Sequence, residues 1–311
     1  MQQFDTLVIG GGGIAGFSYI GSLHYLKKNK FLDSIKTIVA SSAGSFLIFL
    51  WLLGYDFSTI QSVGEQIDLS DIVDISVNDL MNFVDHFGVN DAENLIVIMR
   101  SMAKHKNVSP DITFLELYRN TNIEFLVTVS CLNTRSVETL SYKNSPDMRV
   151  VDAIRISISI PFIFHPIKLD GRYYVDGAFF INCYQEILET PEFLGRKSII
   201  IDIFHPYESY TTEDGTGEME LWMYSRNIFM ARLSYDHQKQ VDASKKIFRP
   251  DVLYISLEVK NCHCSEFNIS QEKKRELFDF GYFETKMFSQ EFVKSHERTK
   301  ITTAIASEND S

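Results

Sequence analysis

Thr6-Leu7-Val8-Ile9-Gly10-Gly11-Gly12-Gly13-Ile14-Ala15-Gly16, near the start of this 311-residue chain, carries the clearest signal of its architecture. Its first four residues read as a short buried strand and residues 10–13 as a turn. Ile14, Phe17, Ile20, Leu23 and Leu26 then recur at helical spacing over residues 14–30. A second strand is expected at residues 35–39, after which Ser41-Ser42 opens another apolar helix through Phe46 and Leu53. Strand, glycine loop, helix, strand, tight turn, helix is the opening of an α/β fold with a parallel sheet. The cluster Lys27-Lys28-Asn29-Lys30 falls in the last turn of the first helix, where cations complement the negative end of the helix dipole.

Further along, strands are expected at residues 123–131, 139–142, 172–175, 198–204 and 252–257, with helices between them. Residues 208–217, which include Asp214-Gly215-Thr216-Gly217, read as an exposed mobile loop. Residues 272–298 read as an amphipathic helix whose apolar stripe, Leu277, Phe280, Phe283, Met287 and Phe292, packs on the core. With no repeat or Pro-rich linker in between, residues 1–300 are expected to form one domain and residues 301–311 a flexible tail.

Composition excludes several classes of function. Thirty basic against 41 acidic residues give a net charge of −11, the wrong sign for a nucleic-acid partner. Four irregularly spaced cysteines, Cys131, Cys183, Cys262 and Cys264, do not make a disulfide framework and point to a reducing, intracellular and cytoplasmic setting. The chain opens without a basic export signal, and its longest apolar run is far short of the ~20 residues that span a bilayer. Cys262-His263-Cys264 lacks the second ligand pair that a tetrahedral metal site needs, so no metal is expected.

Gly11-Gly12-Gly13-Ile14-Ala15-Gly16 satisfies G-x-G-x-x-G between strand and helix. Glycines there let a ligand approach the backbone, and amides at a helix N-terminus point at negative charge, whether a pyrophosphate or a developing oxyanion. A dinucleotide fold also places an acid near the end of the second strand. Here that strand ends in Val39-Ala40-Ser41-Ser42, and Asp33 lies at its wrong end, so the oxyanion is the favoured ligand.

Ala40-Ser41-Ser42-Ala43-Gly44 matches the nucleophile elbow G-x-S-x-G except at its first position, and it has the strand-to-helix context that the elbow requires. A serine in that place can instead be a simple helix cap. Coupling to a glycine turn on a neighbouring parallel strand favours the nucleophile, since both turns would then meet at the carboxyl edge of the sheet. Asp176, after the strand-like residues 172–175 and before Gly177, could project into the same crevice or form a hairpin turn completed by Phe179 and Phe180.

Four segments in this order resemble the patatin-like phospholipase family. Residues 10–13 with Gly16 resemble its oxyanion block, and Ala40 through Gly44 its serine block. Ser157-Ile158-Ser159-Ile160-Pro161, followed by Phe164-His165-Pro166, resembles its Ser-x-Ser-x-Pro block. Tyr174-Val175-Asp176-Gly177-Ala178, with Asn182 beyond, resembles the block that supplies an aspartate. The chain departs from the pattern at Ala40, at Ala15 where a basic residue often follows the glycines, and at Ala178 where a second glycine is common. No motif is recognised beyond about residue 200.

The resemblance implies a three-layer α/β/α sandwich with a mainly parallel sheet and an acyl hydrolase with a Ser-Asp dyad. In it Ser42 is the nucleophile, Asp176 its base, and the amides of Gly11, Gly12 and Gly13 the oxyanion donors. No cofactor is implied. The substrate class is a lipid or phospholipid ester, for which the 24 Phe and 14 Tyr could line an acyl groove. The acidic charge makes any membrane contact transient and hydrophobic. A lipid-binding protein without activity on the same fold is the competing reading. Of the eight histidines, His165 and His205 are the rivals to Asp176 as base.

Overall fold

In a computed structural model, the residues described are 3–68, 83, 85–181, 184–204, 224–225, 228, 231–232, 235, 249–260, 262 and 268–309. β1 (Thr6–Ile9) lies at the heart of the sheet, paired in parallel with β2 (Thr37–Ala40) on one side and β7 (Ser198–Phe204) on the other. β3 (Glu124–Cys131) extends the parallel set beyond β2, and β8 (Val252–Glu258) beyond β7. β4 (Ser136–Leu140), β5 (Ile167–Leu169) and β6 (Arg172–Val175) add an antiparallel margin next to β3. The order is β5-β6-β3-β2-β1-β7-β8, with β4 also on β3. This is the mixed α/β architecture with a mostly parallel sheet that the sequence implies.

The central strands β1, β2, β3 and β7 are buried at every position because both faces of the sheet are covered. Leu7, Ile9, Ile38, Ala40, Ile199 and Ile201 join one core, and the alternate residues Val8, Val39 and Ile200 join another. On the first face lie α1 (Phe17–Lys28), α2 (Ser42–Leu52), α3 (Phe57–Gln66), α4 (Glu93–His105), α5 (Phe114–Thr121) and α6 (Val150–Ser157). The second core is closed by Tyr184, Leu188 and Phe193, around the short α7 (Gln185–Leu188). α8 (Gln271–Asn309) packs along α1.

The α1–α8 crossing corrects the stripe expected for the last helix. Leu277 and Phe278 are buried, but Phe283 and Met287 face solvent, and the small residues Thr285 and Ser289 are buried instead. Backbone proximity is the reason. A Cβ at Gly281 would overlap the Ser18 carbonyl, a Cβ at Gly21 would overlap that of Phe278, and Ser22 Oγ donates to the Gly281 carbonyl at 3.1 Å. Two helices this close meet through small residues, so large side chains turn away. α8 also extends to Asn309, which makes residues 301–309 helical where the sequence suggests a tail.

Other boundaries move for local reasons. The first helix is preceded by a 3-10 turn over Gly13–Gly16, and the strand expected at 139–142 is β4, ending at Leu140. There Asn144 turns the chain, accepting from the Ser141 N–H at 2.9 Å and donating to the Thr139 carbonyl at 2.6 Å. β5 has no counterpart in the sequence reading. It forms a hairpin with β6 through Asp170 and Gly171, both at positive φ, as a two-residue turn requires. The loop expected at 208–217 lies outside the described residues, as do Asn182, Cys183, His205, His263 and Cys264. Among the described residues no helix is long and apolar enough to cross a membrane, and no group of three or more His, Cys, Asp or Glu could hold a metal.

Candidate active site

Parallel register brings the two turns together. Ile9 pairs with Ala40, and the Ser41 N–H donates to the Ile9 carbonyl at 3.0 Å, so the glycine loop and the serine turn leave the sheet side by side. Ser42 opens α2 at φ +48°, in the left-handed region that a residue with a Cβ seldom occupies. Its strain is held from three directions. The Ser42 N–H donates to Ser157 Oγ at 2.8 Å, the Ser42 carbonyl accepts from Ser45 Oγ at 2.6 Å, and the Gly44 N–H reaches back to the Ser41 carbonyl at 2.9 Å. The Ser41 side chain does not cap the helix.

Asp176 arrives from the other end of the sheet, at the end of β6. The third block holds it: the Asp176 N–H donates to the Ser159 carbonyl at 2.8 Å and the Gly177 N–H to the Ser157 carbonyl at 2.9 Å. Pro161 follows in the turn that leads to Phe164. Beyond Asp176 the chain stays in turns over residues 177–180, so the hairpin alternative does not form. Ser42 Oγ donates to Asp176 Oδ2 at 2.6 Å, and the Ala178 N–H donates to Oδ1 at 2.8 Å. Burial raises the carboxyl to about 6, with the bonds from Ser42 and Ala178 acting in the opposite direction. A carboxylate in contact with a hydroxyl and poised near neutral pH can take that hydroxyl's proton.

Gly11 sits against both partners: a Cβ there would lie 3.0 Å from that of Ala178 and 3.9 Å from Ser42 Oγ. The three glycine amides are not equivalent. The Gly11 N–H is used by Tyr184 Oη at 2.9 Å, whereas those of Gly12 and Gly13 make no hydrogen bond among the described residues. Of the three amides expected as donors, that of Gly11 is therefore already engaged within the protein. Gly16 ends the 3-10 turn, and Ala15, at the departure from the basic pattern, is completely buried and donates its N–H to the Gly12 carbonyl at 3.1 Å.

A cavity of about 160 Å³ opens onto Ser42. Its wall includes Ala43, Phe46, Leu47 and Leu50 from one face of α2, Ile60 and Val63 from α3, Leu95, Ile98 and Met102 from α4, and Ile158, Ile160 and Phe164 after α6. Aliphatic side chains outnumber the aromatic ones that composition suggested. Ser42 is the only polar side chain on the wall among the described residues.

His165 is held elsewhere. Its N–H donates to the Asn90 carbonyl at 2.9 Å and its ring stacks on His86 at 4.9 Å between centroids. Burial and the neighbouring His86 lower its pKa. Asp33 pairs with Lys27 at 2.9 Å on the surface, away from any ribose-binding position, and Cys262 is buried. Ser157, quoted in the sequence only as part of a block, proves to be the residue that braces the serine turn; its spacing from Ser159 is the signal that contained it.

The fold and this constellation define an α/β protein with a buried serine-carboxylate pair at the edge of a parallel sheet. Residues 7–188 match the family model "Patatin-like phospholipase", and the chain belongs to that family. An uncharacterised protein of Acanthamoeba polyphaga mimivirus is 27% identical over 302 residues, covering 94% of this chain and 95% of its own. A protein of Invertebrate iridescent virus 6 named "Probable lipid hydrolase" is 26% identical over 183 residues, 58% of this chain and 62% of its own. Among solved structures, VipD from Legionella pneumophila shares the fold with a TM-score of 0.57 at 16% identity, covering 94% of this chain and 67% of that one.

Proposed function

We propose that the protein is a lipid acyl hydrolase that cleaves a fatty acyl ester through a Ser42-Asp176 dyad. The observation that carries this reading is the 2.6 Å bond between Ser42 Oγ and Asp176 Oδ2 at the mouth of an apolar cavity. Family membership and the name of the iridescent-virus relative support it.

Ser42 Oγ attacks the ester carbonyl carbon while Asp176 takes its proton. Negative charge gathers on the carbonyl oxygen, where the Gly12 and Gly13 N–H groups stabilise it; loss of one such donor in a hydrolase typically costs about 3 kcal/mol. The tetrahedral intermediate collapses, the C–O bond to the alcohol breaks, and Asp176 returns the proton to the departing alkoxide. Water then attacks the acyl-enzyme with Asp176 again as base, releasing the fatty acid and restoring Ser42. The cavity shelters the acyl chain during both steps, because apolar surface gains most from leaving water there.

Reaction with a fluorophosphonate probe tests the reading. The wild-type protein should be labelled on Ser42 and should release fatty acid from phospholipid or glycerolipid esters. Ser42→Ala should lose both while keeping its melting temperature, and Ser41→Ala should keep the label. Labelling that persists in the Ser42 variant, or wild-type protein that is inert to probe and esters, would sink it.

A further inference from the structure

A run of glycines has no side chains with which to fix its own position, and glycine loses more backbone freedom on ordering than any other residue. Donors that stabilise a transition state must nevertheless be held in place before the reaction. Something outside the run must supply that order. The Gly10 N–H is tied to the Ile201 carbonyl at 3.0 Å, and the Gly12 carbonyl accepts from Ala15 at 3.1 Å. Between these anchors, both polar atoms of Gly11 are held by phenols.

Tyr184 Oη accepts the Gly11 N–H at 2.9 Å, and Tyr19 Oη donates to the Gly11 carbonyl at 2.7 Å. Tyr19 Oη is itself fixed by accepting from the Ile203 N–H at 3.1 Å, at the end of β7. The two rings come from opposite sides of the sheet: Tyr19 from α1 in the larger core, Tyr184 from the core beneath the second face. They leave so little room that a Cβ at Gly10 would lie 2.8 Å from the Tyr184 ring, 2.9 Å from Tyr19 Oη and 2.8 Å from Asp202 Oδ1. Burial first, and then Asp202, raise both phenols above their ordinary pKa, which keeps each a neutral hydroxyl.

We propose that Tyr19 and Tyr184 are positioning residues that grip the Gly11 peptide from both sides of the sheet and thereby set the aim of the Gly12 and Gly13 N–H groups. This rests on the acyl hydrolase reading, since it assigns those amides to the oxyanion. Neither phenol touches the substrate. Each acts through the loop, and its contribution falls on the transition state rather than on substrate binding.

The test compares wild type with Tyr19→Phe and Tyr184→Phe, which keep the rings and remove only the hydroxyls. Each variant should lower kcat on an acyl ester about ten- to a hundredfold, below the loss typical of deleting an oxyanion donor itself. KM should stay within about twofold, and affinity for a trifluoromethyl ketone with the same acyl chain should fall by the same factor as kcat. Affinity for the unreactive fatty acyl amide should not change. Thermal denaturation establishes that each variant is folded, and either variant decides the matter if the other does not fold. Two folded variants with wild-type kcat in an active enzyme would overturn the clamp alone. So would kcat loss matched by an equal loss of amide affinity. Wild-type protein inert to the ester and to a fluorophosphonate would overturn the hydrolase reading and the clamp with it.

Discussion

The main-chain N–H of Ser42 donates to Ser157 Oγ at 2.8 Å, across 115 positions of sequence. Ser157 is the last residue of α6, and its own carbonyl accepts from Gly177. One residue therefore touches both the turn that carries the serine and the segment that carries the aspartate. Ser157→Ala would leave a buried N–H without a partner, which costs about 1–3 kcal/mol. A lower melting temperature and a several-fold lower kcat are expected; thermal and kinetic parameters equal to wild type would show that the turn holds its geometry without this bond.

Asp176 is expected to set the dependence on pH. Its folded-state pKa, about 6, lies above the ordinary 3.8, so between those values the folded chain binds a proton that the unfolded chain has lost. Stability contributed by this group is therefore complete below about pH 4 and declines as pH rises to about 6, by roughly 3 kcal/mol at 1.36 kcal/mol per pKa unit. Activity should move the opposite way, rising through about pH 6 as the base ionises. Asp176→Asn should lower kcat by at least about 1,000-fold. In urea titrations it should be more stable than wild type at pH 7 and lose that advantage at pH 4. An activity profile flat from pH 5 to 8 would argue against this carboxyl as base.

His165 is expected to be dispensable for chemistry. Its ring is engaged with His86, its main chain with Asn90, and Ser42 Oγ is engaged with Asp176. His165→Ala should retain kcat within about tenfold, a barrier change of ~1.4 kcal/mol. A loss as deep as that of Asp176→Asn, in a folded variant, would replace the dyad with a histidine mechanism.

Acyl-chain length should be set by the cavity wall away from Ser42. Leu50 lies two turns beyond Ser42 on the face of α2 that lines the cavity, roughly 12 Å along the axis at 1.5 Å per residue. Leu50→Trp should lower kcat/KM for long-chain esters at least about tenfold, ~1.4 kcal/mol, and leave butyrate esters near wild type. Comparing rates across a series of chain lengths checks this; an equal effect on all lengths would place the acyl chain elsewhere.

Much of this was legible in the sequence, and the parts that were not have identifiable causes. Strands β6 and β7 are as expected to the residue, because each is a continuous β-prone run bounded by turn residues. Ser42 and Asp176 were legible because each stands in a short block where element type and small neighbours together restrict the possibilities. β5 is not expected from the sequence, although Asp170-Gly171 is a strong two-residue hairpin signal, because a three-residue strand is too short to show alternation. Tyr19 and Tyr184 were invisible for a different reason. Each looks like an ordinary core aromatic, and only the parallel pairing of distant strands brings two phenols 165 positions apart in numbering to one peptide. The outward turn of Phe283 and Met287 was likewise hidden, since apolar spacing along α8 carries no record of how near α1 would come.

That nearness has a consequence for the last third of the chain. α8 lies wholly outside residues 7–188, yet it rests on the helix that begins one residue after the turn Gly13–Gly16. With Gly21 against Phe278 and Gly281 against Ser18, the two helices touch backbone to backbone, and the glycine loop leads into the near end of that pair. Trimming the C-terminal segment before Gly281 would thus remove the abutment of a loop on the far side of the molecule's sequence, and shifting α8 along its axis would carry Tyr19 with it. Residues 271–309 are in mechanical terms a footing for α1, the helix that follows the turn after Gly12.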